Sequence, residues 1–147
     1  GDLTFTDVSE LWGLNQASFS NGAAFADLDN DGDLDYIVNN INSNAFIYEN
    51  RLNNITSKES GNSNFLRVAF AGPDQNKAGF GTKVYLYYKD KQQYYEHFIV
   101  RGYLSSVEGI AHFGLGKIEV LDSVKIVWPD GKQQKLTSVS TNKKITV

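Results

Sequence analysis

Five aspartates at alternate positions, Asp27, Asp29, Asp31, Asp33 and Asp35, with Gly32 following the third, are the residues of this chain best suited to chemistry. Oxygen ligands at that spacing suit a hard cation. Calcium takes six to eight oxygens at about 2.3–2.6 Å, and a tight loop can offer them from alternate residues. Asp27, Asp29 and Asp31 can turn their side chains inward together, and Gly32 allows the positive φ that lets the chain double back. The spacing predicts that Asp33 ligates through its backbone carbonyl, and that Asp35 closes the loop with both carboxylate oxygens. Without a cation, close pairs of such charges repel by roughly 4 kcal/mol each at an effective dielectric of 20. The pattern is not an EF-hand, because its twelfth position is Val38 and a strand rather than a helix is expected after it.

No other constellation points to catalysis. His97 and His112 are the only histidines, and the sequence gives neither an acid–base partner. His97 falls in an alternating stretch and reads as a strand residue, facing solvent or satisfied in a core. Ser105 and Ser106 lie outside any Gly-x-Ser-x-Gly elbow and are expected to bond the backbone in a turn. Gly79-Phe80-Gly81-Thr82-Lys83 lacks the order of a phosphate loop and reads as a turn or bulge. The expectation is a protein that is not an enzyme.

The elements that must hold the Asp loop are strands. The 147 residues include 13 Gly, 8 Tyr and 9 Phe but 2 Pro, a composition that favours β structure with tight turns. The absence of Cys excludes a disulfide scaffold, a thiolate zinc site and a Cys nucleophile. No apolar run approaches the ~20 residues needed to cross a bilayer. The net charge of −3 is unevenly spread. Residues 1–60 carry ten acidic and two basic side chains, and residues 61–147 carry seven and twelve. The basic residues are scattered, which argues against a nucleic-acid partner.

In chain order, Leu3–Val8 alternates like a strand, and Ser9–Leu14 reads as one helical turn capped by Ser9 and stopped at Gly13. Strands are expected over Ser20–Ala26, Tyr36–Val38 and Ala45–Asn50. Residues 51–63 read as a linker containing a sequon, Asn54-Ile55-Thr56. Further strands are expected over Phe65–Phe70, Lys83–Tyr88, Tyr94–Val100, Ser123–Trp128 and Gln133–Leu136, with a last one near Lys144–Val147. The turn Trp128-Pro129-Asp130-Gly131 has strong turn chemistry.

Two resemblances follow from these residues. Phe5-Thr6-Asp7-Val8, the run Gly22–Asp35, Val38-Asn39-Asn40 and Ala45 together resemble the FG-GAP/VCBS repeat of β-propellers, whose Asp-rich loop holds calcium. Asn64-Phe65-Leu66, Asn76 with Gly79–Val84, Gly102–Ser106, Phe113-Gly114-Leu115-Gly116 and Trp128–Gly131 resemble the ASPIC/UnbV domain. That domain follows such repeats in cartilage acidic protein and in many bacterial envelope proteins. The resemblance implies an all-β chain, with one propeller-blade-like calcium repeat and linker over residues 1–63. An antiparallel β-sandwich or barrel is implied over 64–147. One repeat does not make a propeller, so a C-terminal fragment of a longer parent chain is expected. The function implied is a non-catalytic, Ca2+-binding module, extracellular or in the cell envelope, that binds a protein or glycan ligand. The alternatives are a carbohydrate-binding accessory domain and a structural propeller cap. Six tyrosines, Tyr85, Tyr87, Tyr88, Tyr94, Tyr95 and Tyr103, could include an exposed stacking surface, although strand tyrosines also serve cores.

Overall fold

The computed structural model describes residues 3–53 and 63–147. The chain is all-β, and its ten strands form three sheets with no closed barrel among the described residues. The linker positions 54–62, including the sequon, lie outside the described residues.

The first sheet is an antiparallel meander of β1 (Ser20–Ala26), β2 (Asp35–Asn40) and β3 (Phe46–Tyr48). It has almost no apolar interior. Val38 is its one buried hydrophobic residue among those described, while Asp27, Asp33, Asp35 and Asn40 are buried. The centre of this unit is therefore polar.

The strand expected over Leu3–Val8 does not form. Alternation alone makes no strand without a partner edge; Leu3 has φ +55° and Phe5 is 98% exposed. The turn after it does form, and Gly13 ends it at φ +72°. Trp12 N–H donates to the Val8 carbonyl at 2.9 Å. The cap is Asp7, whose Oδ1 accepts from Ser9 N–H at 2.9 Å, rather than Ser9 itself.

The remaining strands build a two-layer sandwich. One sheet has the order β10 (Lys143–Thr146), β4 (Asn64–Ala69), β7 (Ile110–Gly116). The other runs β6 (Lys91–Glu96), β5 (Lys83–Tyr88), β8 (Val120–Val127), β9 (Gln133–Ser140). Leu66 and Val68 of β4 and Phe113 of β7 meet Val84, Leu86, Leu121 and Ile126 across the layers. Fully burying each large aliphatic side chain here stabilises by about 1.5–3 kcal/mol, which makes this the dominant core.

The sandwich is not wholly antiparallel, because β10 pairs with β4 in parallel. Asn142, at φ +57°, turns the chain out of β9. It then donates N–H to the Phe65 carbonyl at 2.7 Å and accepts from Phe65 N–H at 3.1 Å, delivering β10 to the other layer.

The strand expected over Tyr94–Val100 instead starts at Lys91 and stops at Glu96. Its ladder with β5 begins at Lys83↔Glu96; beyond it His97 N–H still donates to the Thr82 carbonyl at 2.8 Å, and the chain then turns away to meet Ser106 and Val107. The turns fall where the sequence places them. Gly79, Gly81 and Gly131 all take positive φ, and Ser105 Oγ donates to the Tyr103 carbonyl at 2.7 Å.

A candidate metal centre at the Asp loop

The loop between β1 and β2 is shaped by its own carboxylates. Asp29 Oδ1 accepts from Asp31 N–H at 3.2 Å, and Asp31 Oδ1 accepts from Asp33 N–H at 3.0 Å. Two residues take the left-handed conformation, Asn30 at φ +64° and Gly32 at φ +91°. Gly32 is required twice over. Besides its φ, a Cβ there would run into the Phe65 ring, which lies directly over the loop.

Asp27, Asp29 and Asp31 converge, with one carboxylate oxygen from each lying within 4.8 Å of the others. Ligands arranged around one calcium ion at about 2.3–2.6 Å fall within that span. Asp33 and Asp35 stand apart from this group. Asp33 Oδ2 accepts from Asn53 N–H at 2.8 Å, and its Oδ1 is buried without a partner. Asp35 ties the loop to its flanks, accepting from Leu28 N–H at 2.9 Å and from Asn50 N–H at 2.8 Å, one bond on each oxygen. Each oxygen keeps a second acceptor site.

Electrostatics sharpen the picture. Burial, with the negative charges of Asp29, Asp27 and Asp35 added to it, pushes the Asp31 carboxyl above the usual carboxylate range against the Asp33 N–H bond. Burial, opposed by the Asn53 N–H bond and reinforced by Asp31, Asp35 and Asp29, raises Asp33 as well.

Sequence reasoning missed the group that holds Asp27. Arg67 of β4 points away from the sandwich core and donates Nη1–H to Asp27 Oδ2 at 2.7 Å. Its Nη2 donates to both oxygens of Glu108, at 2.7 and 2.8 Å. The Arg67 and Asp27 side chains are 9% and 1% exposed, so this is a buried pair. Asp27 Oδ1 has no hydrogen-bond partner among the described residues and is shielded from solvent. Arg67 was visible as a charge inside an alternating strand, which is the signal that a partner lay across that face. The partner itself, forty residues away, was not legible.

Both histidines lie in the sandwich, against aromatic rings. His97 is fully buried rather than facing solvent, and neither ring nitrogen makes a well-formed hydrogen bond, although the Ala78 carbonyl lies close enough to favour its protonated form. Its ring stacks on Phe70 at 4.1 Å and on Phe80 at 5.6 Å between centroids. His112 lies on β7 and stacks on Phe65 at 5.9 Å, with Nδ1 unpartnered. Burial lowers the basicity of both.

Comparison with known proteins extends from the sandwich to the loop. The ASPIC and UnbV family profile matches residues 72–147. Cartilage acidic protein 1 of Homo sapiens is 34% identical over 137 residues, covering 90% of this chain and 19% of its own length. Its counterpart in Xenopus tropicalis is 38% identical over 116 residues, 76% of this chain and 16% of its own. The Mus musculus protein is 33% identical over 137 residues. The chain thus spans about a fifth of the length of these relatives. A match over 90% of the chain leaves too few residues outside it for the Asp loop to be excluded. The sandwich, its turns and these similarities together establish that the chain belongs to the ASPIC and UnbV family.

Proposed function

We propose that this chain is a non-catalytic, calcium-binding interaction module that works outside the cytoplasm as part of a longer protein. The observation that carries the reading is the convergence of the Asp27, Asp29 and Asp31 oxygens within 4.8 Å, with Asp27 buried and one of its oxygens unpartnered. A cation there would neutralise charges that otherwise repel, and it would occupy the centre of a unit that has almost no apolar core. Asp27, Asp29 and Asp31 hold the ion in this reading, with the backbone of Asp33 and the two carboxylate oxygens of Asp35 completing the set. An all-oxygen site without His or Cys favours calcium over zinc. It also favours calcium over magnesium, which demands a tighter octahedron at about 2.0–2.1 Å.

In this reading the Asp loop belongs to an FG-GAP/VCBS-like repeat over residues 1–63, and 64–147 form the ASPIC/UnbV unit that supports it. Arg67 couples the two by holding the first ligand. Relatives named for cartilage support a place outside the cell, where free calcium is millimolar and a loop of modest affinity stays loaded. Among the described residues no helix is long and apolar enough to cross a membrane. Thermal unfolding tests the reading. The midpoint should rise with calcium, fall with a chelator, and respond much less to magnesium. An unchanged midpoint in excess chelator and in calcium would overturn it.

A further inference from the structure

Five of the six candidate tyrosines lie on the β6-β5-β8-β9 sheet, and Tyr103 stands apart, exposed in the turn before Ser105. Tyr88 and Tyr95 pack on the core. Tyr85, Tyr87 and Tyr94 project from the opposite face, where no element among the described residues covers them. The strand register sets them in rows. Tyr94, Tyr85, Lys125 and Lys135 stand side by side across the four strands. The neighbouring row carries Gln92, Tyr87, Ser123 and Thr137. Tyr85 and Tyr94 lie 5.0 Å apart between ring centroids, and Tyr94 is 50% exposed. Lys125 and Lys135 have no ion-pair partner among the described residues. A shallow depression of about 450 Å3 opens between Tyr87, Ser123, Lys125, Gln133, Gln134 and Lys135.

We propose that this face binds an acidic polysaccharide. Adjacent strands lie about 4.7–4.9 Å apart, so one row spans roughly 14 Å, enough to seat a short stretch of sugar chain. Tyrosine rings supply flat apolar faces for the C–H side of pyranose rings and hydroxyls for their rims. Ser123 and the glutamine amides supply further hydrogen-bonding groups. The two unpaired lysines select for negative charge and speed encounter. The next row on this face adds Lys83 opposite Glu96, whose carboxylate accepts from the Tyr94 hydroxyl at 3.0 Å, so the face is only sparsely basic, and a phosphodiester, charged at every step, would call for a denser patch. A sparse acidic polymer, with a carboxylate or sulfate on some of its sugars, matches the charge that is present. This face lies across the sandwich from Arg67 and the Asp loop, so the proposal is independent of calcium.

The test titrates the full chain with heparin oligosaccharides (sulfated), oligogalacturonate (carboxylated), dextran (neutral) and single-stranded DNA, reading amide shifts by NMR. Binding to one of the two acidic saccharides, weakened at high salt and mapped to β5, β6, β8 and β9, is the expected result. Which of the two binds assigns sulfate or carboxylate as the recognised group. Lys125→Ala with Lys135→Ala should weaken it tenfold or more, and Tyr94→Ala should weaken it independently, with shift dispersion reporting an intact fold. Asp29→Ala should leave it unchanged, which separates this site from the calcium loop. The proposal falls if neither acidic saccharide binds, if dextran binds as well, if DNA binds more tightly, or if the lysine variant binds like the parent.

Discussion

Replacing Arg67 with Met, of similar length but uncharged, removes the one cation that meets Asp27 among the described residues. The Asp27 side chain is 1% exposed, and its other oxygen is already unpartnered. The variant therefore leaves a buried carboxylate with nothing to balance it. Breaking a buried pair in this way costs about 3–5 kcal/mol. Glu108, a third exposed, can turn to water, so its share of the loss is small. Against a typical total stability of about 5–15 kcal/mol, the effect is large. Urea denaturation followed by Trp fluorescence should show the full penalty in chelator. In saturating calcium the penalty should shrink, because the ion supplies Asp27 with the positive charge that the variant lacks. Arg67→Lys keeps a charge but not the fork joining Asp27 to Glu108, and should fall between. A loss below about 1 kcal/mol in chelator would refute the claim that Arg67 holds Asp27. A loss identical with and without calcium would refute the claim that one carboxylate serves both cations.

Gly32→Ala should destabilise by more than the roughly 1–3 kcal/mol of a strained backbone position, because its Cβ also meets Phe65. Adding Phe65→Ala should relieve the collision but not the strain, and full recovery in urea melts would contradict the φ argument. His97 gives a pH signature. Burial lowers its pKa in the fold, offset in part by the Ala78 carbonyl and deepened by Arg101, whereas the unfolded chain takes up a proton below about pH 6.5. Its contribution to stability is therefore complete above that pH and declines as pH falls toward the folded pKa, by at most about 1.4 kcal/mol per pH unit. His97→Leu should flatten that slope in denaturation curves between pH 7 and pH 5, and an unchanged slope would sink the assignment.

Period-two patterning placed most strands because it reports which face is buried, as in Val84, Leu86 and Tyr88 of β5. It overreached at Leu3–Val8, where no edge is present to pair with. It places no strand at β7, where Gly114 and Gly116 weaken the pattern. Gly116 does turn, at φ +56°, but Gly114 sits within a strand whose Ala111, Phe113 and Leu115 are all buried. The parallel pairing of β10 depends on the side chain of Asn142, whose bonds span 77 residues or more and leave no local trace. In the site, the spacing of Asp27, Asp29 and Asp31 was readable because the loop is local. Arg67, Glu108 and Phe65 were not, since only the docking of the loop on β4 brings them there.

The central claim is that Asp27, Asp29 and Asp31 form one divalent-cation site with the loop that carries them. Calorimetric titration of calcium into the chelator-stripped full chain tests it most directly, with Asp29→Ala titrated alongside. The account predicts a single saturable site per chain, lost in Asp29→Ala while its circular dichroism keeps the β spectrum of the parent. No heat of binding to the parent chain, or equal binding by Asp29→Ala, would contradict it.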